Sequence, residues 1–481
     1  MPSNTQKANL YVSFSSLLDK MKATRLLKSC GFSKRSGANC LHMLTTILGA
    51  VFLYPNLFRL LDSERGKTIG FAKSSAYRFL NNAQFNWQKL LLKMAAFVTK
   101  FMSDLNGKEH INCFVADDTV IERPRSKKAE LLSYQFNHVT QKTEKAFTNL
   151  SLGWSDGFSY VPVQSYLICS HKKNKIIRNA NKNLDNRLAS TEQRKIALMP
   201  KPEVLKLMIK RALNAGIKAS YLLVDSWFFS EKLIKEMEAL GLGVISLVKS
   251  NIKFSLTGDK GTFKTQLQLV KYLLESGKFP KNAETVSCCV FTTQQRYVKL
   301  VLVRNYNNKG KWHAIVSTDT ELTDEEIVRH YKKRWKIEEG FRALKQYLGL
   351  KTSGNKAHEF NTINACMIIS TLRLLLLEFN RRMNNDQRSL GQLFYVIGEQ
   401  MREEPYKEAL TSLVAILDHM PDDMERLGIL PPDAVEKVRT YLQDKIIKWR
   451  LGLHEYVAAV MLRCGIDAST TAPTQLQNSN F

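Results

Sequence analysis

At 481 residues and 44% apolar, the chain has length for about three domains and can bury a sizeable core. Its 71 Lys and Arg against 44 Asp and Glu leave a charge of +27, which repels itself unless a polyanion is near, so nucleic acid is the leading partner. The eight cysteines are scattered with no C-x-x-C pair, which argues against a zinc site or a disulfide framework and fits a reducing cytoplasm. The start, "MPSNTQKANLYVSF", has no charged segment followed by an apolar core and does not read as a signal peptide. The longest apolar runs, "LHMLTTILGAVFLY" and "ACMIISTLRLLLLEF", are shorter than a bilayer span, so a soluble protein is expected.

The charge is uneven along the chain. Residues 1–110 carry 16 basic and 5 acidic side chains, whereas residues 385–481 carry 10 basic and 14 acidic. Residues 1–108 predict a helical region, with apolar side chains at three- and four-residue spacing in "LHMLTTILGAVFLYPNLFRLL" and "FNWQKLLLKMAAFVTKFM". Between them "KSSAYRFLNN" places serines as N-caps beside basic and aromatic side chains, which suits a DNA-binding module as well as a packed helical subdomain.

Residues 109–250 change rhythm. The apolar run "INCFVADD" predicts a strand ending in Asp117 and Asp118, and "AFTNLSLGWS" and "YVPVQSYLICS" predict two more. The lysine-rich "HKKNKIIRNANKNLDNRLASTEQRK" reads as a loop, either solvated or lying over a polyanion. Helix "KPEVLKLMIKRALNAG", strand "ASYLLVDSWFF" ending at Asp225, helix "EKLIKEMEALGLG" and strand "VISLV" then alternate, which argues for a mixed sheet flanked by helices. Trp227 and Phe228 are expected to pack beneath that second acid.

Residues 251–320 predict a β-rich insertion, from "ETVSCCVFTTQQRYVKLVLVRNYNN" to "KWHAIVSTD". Residues 321–384 return to helix, first over Tyr331–Leu350 and then over Asn361–Phe379. The acidic region 385–481 predicts helices that either cap the body or join two copies, and its end, "STTAPTQLQNSNF", predicts disorder.

Treated as one helix, "YKKRWKIEEGFRALKQYLGL" gathers four side chains on one arc. At about 100° per residue, with Tyr331 at 0°, Arg334 falls near −60°, Glu338 near −20° and Lys345 near −40°. Ile337, Phe341, Leu344 and Leu348 form the adjoining buried stripe, and Glu339 points elsewhere. Alone, Arg334, Glu338 and Arg342 would be an ordinary surface ladder of ion pairs. Beside the acids Asp117 (or Asp118) and Asp225, Glu338 completes a set of three carboxylates with no His or Cys among them. Such hard oxygen donors suit Mg²⁺, with Mn²⁺ as substitute, and two such ions can drive phosphodiester chemistry.

The spacing Tyr331, Arg334, Glu338, Lys345, with "ADDTVIERP" and "LLVDSWF" upstream, resembles the Tyr-Arg-Glu-Lys signature of bacterial insertion-sequence DDE transposases, the insertion-sequence family numbered four. The resemblance covers roughly Asn112 to Phe379. It implies an α/β, ribonuclease-H-like mixed-sheet core interrupted by a β-rich insertion. It also implies Asp117, Asp225 and Glu338 as catalytic and metal-binding residues, with two Mg²⁺ or Mn²⁺ ions per site. Tyr331, Arg334 and Lys345 would contact DNA, and an aromatic of the insertion, for which Trp312 is the candidate, would stack on a flipped base; a core role for Trp312 stays open. The expected activity is cut-and-paste transposition through hairpin-ended DNA, on double-stranded terminal repeats and target DNA, by a homodimer in a synaptic complex at the bacterial nucleoid. Two rivals share these residues: a nuclease of the same fold that does not join strands, and a catalytically idle DNA-binding descendant.

Overall fold

The computed structural model describes residues 14–106, 110–181, 185–305, 311–352 and 357–451, so the expected disordered end lies outside the described residues. Contacts divide the chain into one unit of Val12–Gln392 and another of Met1–Tyr11 with Leu393–Phe481.

The larger unit opens with α1 (Phe14–Lys20), α2 (Ala23–Ser29), α3 (Cys40–Leu53), α4 (Leu57–Leu61), α5 (Glu64–Lys67), α6 (Lys73–Leu80) and α7 (Trp87–Leu105). Asn39, Asn56, Ser63 and Asn86 start α3, α4, α5 and α7 by accepting a backbone N–H that has no partner inside the helix. The serines of "KSSAYRFLNN" do not do this for α6. Its N-cap is Ala72, and Ser75 lies inside the first turn, where its hydroxyl accepts from Arg78. Phe32, Phe79, Phe85 and Trp87 form the buried aromatic centre of this region, with Phe32 stacked on Phe85 and Trp87 edge-on to Phe32 and Phe79.

The central sheet follows. Its elements are β1 (Cys113–Glu122), β2 (Ser133–Asn137), β3 (Lys142–Ser155), β4 (Tyr160–Ile168), α8 (Ala189–Ala197), α9 (Lys201–Asn214), β5 (Tyr221–Val224), α10 (Glu231–Glu238) and β6 (Gly243–Leu247). Then come the short β7 (Lys253–Phe254) and β8 (Lys264–Thr265), α11 (Gln266–Glu275), β9 (Thr285–Phe291), β10 (Tyr297–Arg304) and β11 (Trp312–Ser317). The sheet is mixed, in the order β2-β3-β1-β5-β6-β11-β10-β9, with β4 also paired to β3. Strands β1, β3 and β4 are antiparallel neighbours, whereas β1, β5 and β6 run parallel.

Three expectations change here. The first acidic strand does not end at its acids: β1 continues to Glu122 because its ladder with β3 continues that far. Part of the lysine-rich stretch is helical, as α8. The segment read as a β-rich insertion contains a helix, α11, begun by a Thr265–Gln268 capping box, and its strands β9–β11 extend the central sheet through β6. The apolar side chains of this segment gather around Phe254, Leu269, Leu273 and Leu300.

After β11 come α12 (Asp324–Lys332), α13 (Trp335–Gln346) and α14 (Phe360–Met383). At 24 residues α14 is long and apolar enough to cross a membrane, longer than the run read from the sequence, but 89% of its most apolar window is buried inside the fold. It is a core helix, packed on α7 and β4. Its one buried guanidinium, Arg373, is satisfied by the carbonyls of Ile47, Leu48 and Leu348. A second buried charge, Glu130, ties three segments together: it takes two hydrogen bonds from Arg194 of α8, at 2.7 and 2.8 Å, and accepts from the backbone of Asn181 and Phe360.

In the smaller unit, α16 (Pro432–Leu451) returns along the end of α15 (Leu390–Arg426), where Arg439 pairs with Asp422 at 2.7 Å and donates to the Asp418 carbonyl. Tyr406, Ile416, Tyr441 and Trp449 of these helices are exposed.

Candidate active site

Burial decides where the acids can stand. Cys113 to Ala116 of β1 are fully buried, and the parallel pairing with β5 ends at Val115–Leu223. Beyond that point β1 keeps β3 on one side and loses its neighbour on the other. Asp117 and Asp225 each lie two residues past that last pair, Asp117 still on β1 and Asp225 just after the end of β5, near enough for the Asp225 charge to act on Asp117. An opening at the carboxyl ends of parallel strands is where α/β sheets place ligands.

The two adjacent aspartates of β1 face opposite ways. Asp118 pairs with Lys201, at the start of α9, at 2.9 Å. Asp117 meets Arg334 at 3.3 Å, and the same guanidinium meets Glu338 at 2.5 Å. One arginine therefore joins two of the three expected acids. Asp225 is fixed by its own turn: its Oδ1 accepts from the Trp227 N–H at 3.0 Å, and its carbonyl accepts from Phe228 and from the Ser246 hydroxyl.

The electrostatics follow from this crowding. Burial pushes the Asp117 carboxyl up to about 7; the Asp118 N–H pulls the other way, the Asp225 charge adds to the rise, and Arg334 offsets only part of it. Burial also raises the Tyr331 phenol to about 12, with Arg334 opposing and Asp225 contributing. Arg334 stays charged against its burial because Tyr331, Glu338 and Asp117 surround it.

The segment expected as one helix is two. Helix α12 opens with a Thr323–Glu326 capping box and ends at Lys332; α13 begins at Trp335. Between them Lys333 and Arg334 donate to His330 and Tyr331 in tight three-residue turns. Both side chains of the break reach toward β1, Lys333 to the Ile111 carbonyl and Arg334 to Asp117. The backbone dihedrals at both stay helical, so Tyr331, Arg334 and Glu338 keep a common side. Glu339 turns away to Lys336 at 2.9 Å. Lys345 does not join the acids; its charge is felt by Lys351 and by Glu122, at the far end of β1. Trp312 is half-buried against the cluster around Phe254, with Arg304 lying over its ring at 5.1 Å. His330 is buried beneath the site, stacked on Tyr221.

A close approach of helix to sheet holds Glu338 in place. A Cβ at Gly340 would lie 2.7 Å from the Tyr160 ring, and one at Gly153 of β3 would lie 2.1 Å from its other edge. Tyr160 is thus wedged between two glycines, one on α13 and one on the sheet. The sequence offered a signal for this, a glycine inside an amphipathic helix, that the periodicity reading passed over. Lys201 was missed too; nothing in its local sequence marks it.

Among the described residues, no three His, Cys, Asp or Glu side chains stand together tightly enough to ligate one ion as placed. Arg334 fills the space between Asp117 and Glu338. Carboxylates are the hard oxygen donors a divalent ion takes, and two of the three, Asp117 and Glu338, here share one cation, the Arg334 guanidinium.

Residues 63–295 match the family model described as DDE superfamily endonuclease, just under half of the chain. The match includes Asp117 and Asp225 and stops before Glu338. A solved structure titled Drosophila P element transposase strand transfer complex aligns over 95% of this chain and 99% of that chain, at 13% identity and a TM-score of 0.20, too low to carry an argument. No curated protein sequence matches the chain. The matched residues, which include most of the strands of the mixed sheet, are thus similar to DDE superfamily endonucleases.

Proposed function

We propose that the chain is a DDE transposase of the insertion-sequence type. It binds double-stranded DNA at the terminal inverted repeats of its element, cleaves beside them and joins the freed 3′-ends to target DNA. The observation that carries this reading is the placing of Asp117 and Asp225 at the ends of paired parallel strands, close enough for their charges to interact, with Glu338 linked to Asp117 through one arginine. The order β4-β3-β1-β5-β6, three antiparallel strands followed by two parallel ones, supports a ribonuclease-H-like core. The charge of +27 supports a polyanionic substrate.

Asp117, Asp225 and Glu338 would hold Mg²⁺ or Mn²⁺, and Asp118 is set apart from them by its bond to Lys201. Two bound divalent ions would supply activation of a water or 3′-hydroxyl and stabilisation of the leaving oxygen. The protein's own residues do the positioning. Arg334, drawn off its two carboxylates, is the guanidinium best placed to take a phosphate of the strand being cut, with Tyr331 beside it. Lys345, farther along α13, would hold the same DNA away from the reacting atoms. The basic helices of residues 1–108 would bind the repeat, and the exposed aromatics of α15 and α16 would join two copies in the synaptic complex.

The family match to endonucleases favours one second reading, cleavage without joining. Labelled end-DNA incubated with the protein, Mg²⁺ and a supercoiled target separates them. Joined products support the transposase. Nicked ends with no joined product support the nuclease, and uncut DNA under every metal condition refutes both.

A further inference from the structure

One element that projects from the sheet takes no part in the acidic site. Strand β2 and the start of β3 form a two-stranded ribbon, with Tyr134 opposite Lys145 and Phe136 opposite Thr143, joined by residues 138–141. At its foot Ser133 bridges to Ile176; beyond that point the outer edge of β2 has no strand partner among the described residues. The tip is nonetheless pinned. Asn137 Oδ1 accepts from the Val139 N–H at 3.0 Å, the Thr140 hydroxyl donates to Glu144 at 2.8 Å, and the Gln141 amide donates to the His138 carbonyl at 2.6 Å.

The two faces of the ribbon differ. Alternation puts Gln135, Asn137 and Glu144 on one face, where Asn137 donates to both Glu122 and Glu144 at 3.2 Å. The other face carries Tyr134, Phe136, Thr143 and Lys145, and no acid. Tyr134 is 42% exposed, Phe136 46%, and Val139 at the tip 90%. An apolar face on an open edge strand invites another molecule onto it. The charges say which kind: the acids are tied to the opposite face, and the segment docked at the foot brings Lys172, Lys173 and Lys175, all exposed. These lysines open the stretch that the sequence left as either solvated or lying over a polyanion. Register relates this face to the acids. Lys145 and Ser151 are six residues apart on β3, hence on one side of it, and Ser151 pairs with Asp117. At about 3.4 Å per residue, Lys145 and Tyr134 stand roughly 20 Å from Asp117, and Phe136 roughly 27 Å. Helix α13 leads the same way from Arg334, because Lys345 is within charge range of Glu122, which Asn137 of the ribbon holds.

We propose that this ribbon enters the major groove of duplex DNA about six to eight base pairs from the phosphate to be cut, the reach of roughly 20–27 Å at about 3.4 Å per base pair. The proposal rests on the DNA-cleaving reading. The major groove of B-DNA admits a two-stranded β-ribbon, and thymine methyl groups there take apolar contacts from side chains such as Phe136 and Tyr134. Lys145 on the ribbon and Lys172 and Lys173 at its foot take phosphates at the groove's edges. The ribbon thus holds the duplex at a second point, beyond Lys345, and fixes the angle at which it crosses the carboxylates.

The test uses full-length protein without divalent metal and duplex DNA spanning the junction between the element's end and its flank. 5-Iodouracil, whose iodine stands in the major groove where thymine carries its methyl, is placed at successive positions on both sides of the junction. After irradiation, wild type should crosslink through Tyr134 or Phe136, identified by mass spectrometry, about six to eight base pairs from the junction on one side. The double variant Tyr134→Ala, Phe136→Ala should lose that crosslink and bind the duplex more weakly, with its fold confirmed by circular dichroism. Lys145→Ala and Lys173→Ala should each reduce the slope of log affinity against log salt, read by fluorescence anisotropy, by about one. Wild-type protein that binds the duplex with no crosslink to either aromatic, or with one only at the junction itself, would overturn the ribbon's role, as would salt slopes unchanged in both lysine variants. A cleavage assay with metal keeps the two claims apart. Cutting at the junction by protein whose ribbon never crosslinks retains the nuclease reading and loses the ribbon. The expected crosslink on DNA that is never cut retains the ribbon and loses the nuclease reading.

Discussion

Gly340→Ala sets two known effects against each other inside α13. In a helix interior alanine is better than glycine by about 1 kcal/mol, so on propensity alone the variant would be more stable. The added Cβ, however, would stand 2.7 and 2.9 Å from two carbons of the Tyr160 ring. That ring is 3% exposed and has no room to retreat, because Gly153 closes its other edge. Overpacking a filled core costs about 1–3 kcal/mol, so the net expectation is a loss of roughly 0–2 kcal/mol. The strain would be relieved by tilting α13 outward, which carries Glu338 away from Asp117, so DNA cleavage should fall by more than stability does. Urea denaturation measures the first effect and metal-dependent nicking the second. A companion Tyr160→Leu substitution should recover part of both losses, as expected for residues in contact. A Gly340→Ala protein more stable than wild type with undiminished nicking would refute the idea that this wedge positions the acid.

Glu130→Ala leaves Arg194 buried without its carboxylate and should cost about 3–5 kcal/mol in chemical denaturation, whereas a surface pair such as Lys67–Glu64 should cost close to nothing. Asp117 holds its proton up to about pH 7 when folded, against an ordinary value of 3.8, so the folded chain binds a proton that the unfolded chain has released. Its contribution to stability is therefore full below about pH 4 and is lost as pH rises to about 7; Asp117→Asn should remove this dependence from the urea midpoint. For the same reason Mn²⁺ affinity, read by calorimetry, should climb with pH up to about 7 and level off above it, and an affinity flat across that range would contradict the assignment. Arg334→Met should lower stability by about 1.5–3 kcal/mol through lost charged hydrogen bonds, and the loss should shrink when Asp117 is already asparagine.

The elements that repeat with a clean period could be read without the fold: β3, β4, β9 and β10 as strands, and α3, α7, α9 and α14 as helices, all stand where the apolar pattern puts them. What the pattern could not supply were the non-local decisions. That β1 runs past its acids depends on β3, where Ser151 and Leu150 pair with Asp117 and Asp118, and that β9–β11 extend the main sheet depends on the pairing of β11 with β6. The break at Lys333–Arg334 carries no Gly or Pro; both residues favour helix, and the turn tightens where their side chains reach to β1. Angular reasoning still separated Glu338 from Glu339, because a tight turn rotates the phase by only about 20° per residue. Lys345, seven residues on in the same helix α13, keeps that side but lies two turns farther along, away from the acids. Asp117 and Asp118 could not be told apart by spacing; the alternation of β1 and the pairing of Asp118 with Lys201 give them different surroundings. Of the pair expected beneath Asp225, Phe228 is buried and Trp227 is exposed; this escaped the sequence because one residue in a turn has no period to betray its direction.

The central claim is that Asp117, Asp225 and Glu338 act as one metal-dependent centre. It is tested most directly by nicking of labelled end-DNA in Mg²⁺ and Mn²⁺ by wild type, Glu338→Gln and Glu339→Gln, with folding of each checked by circular dichroism. Cleavage that needs metal, survives in Glu339→Gln and disappears in Glu338→Gln is the predicted result. Cleavage by Glu338→Gln at the wild-type rate would contradict it.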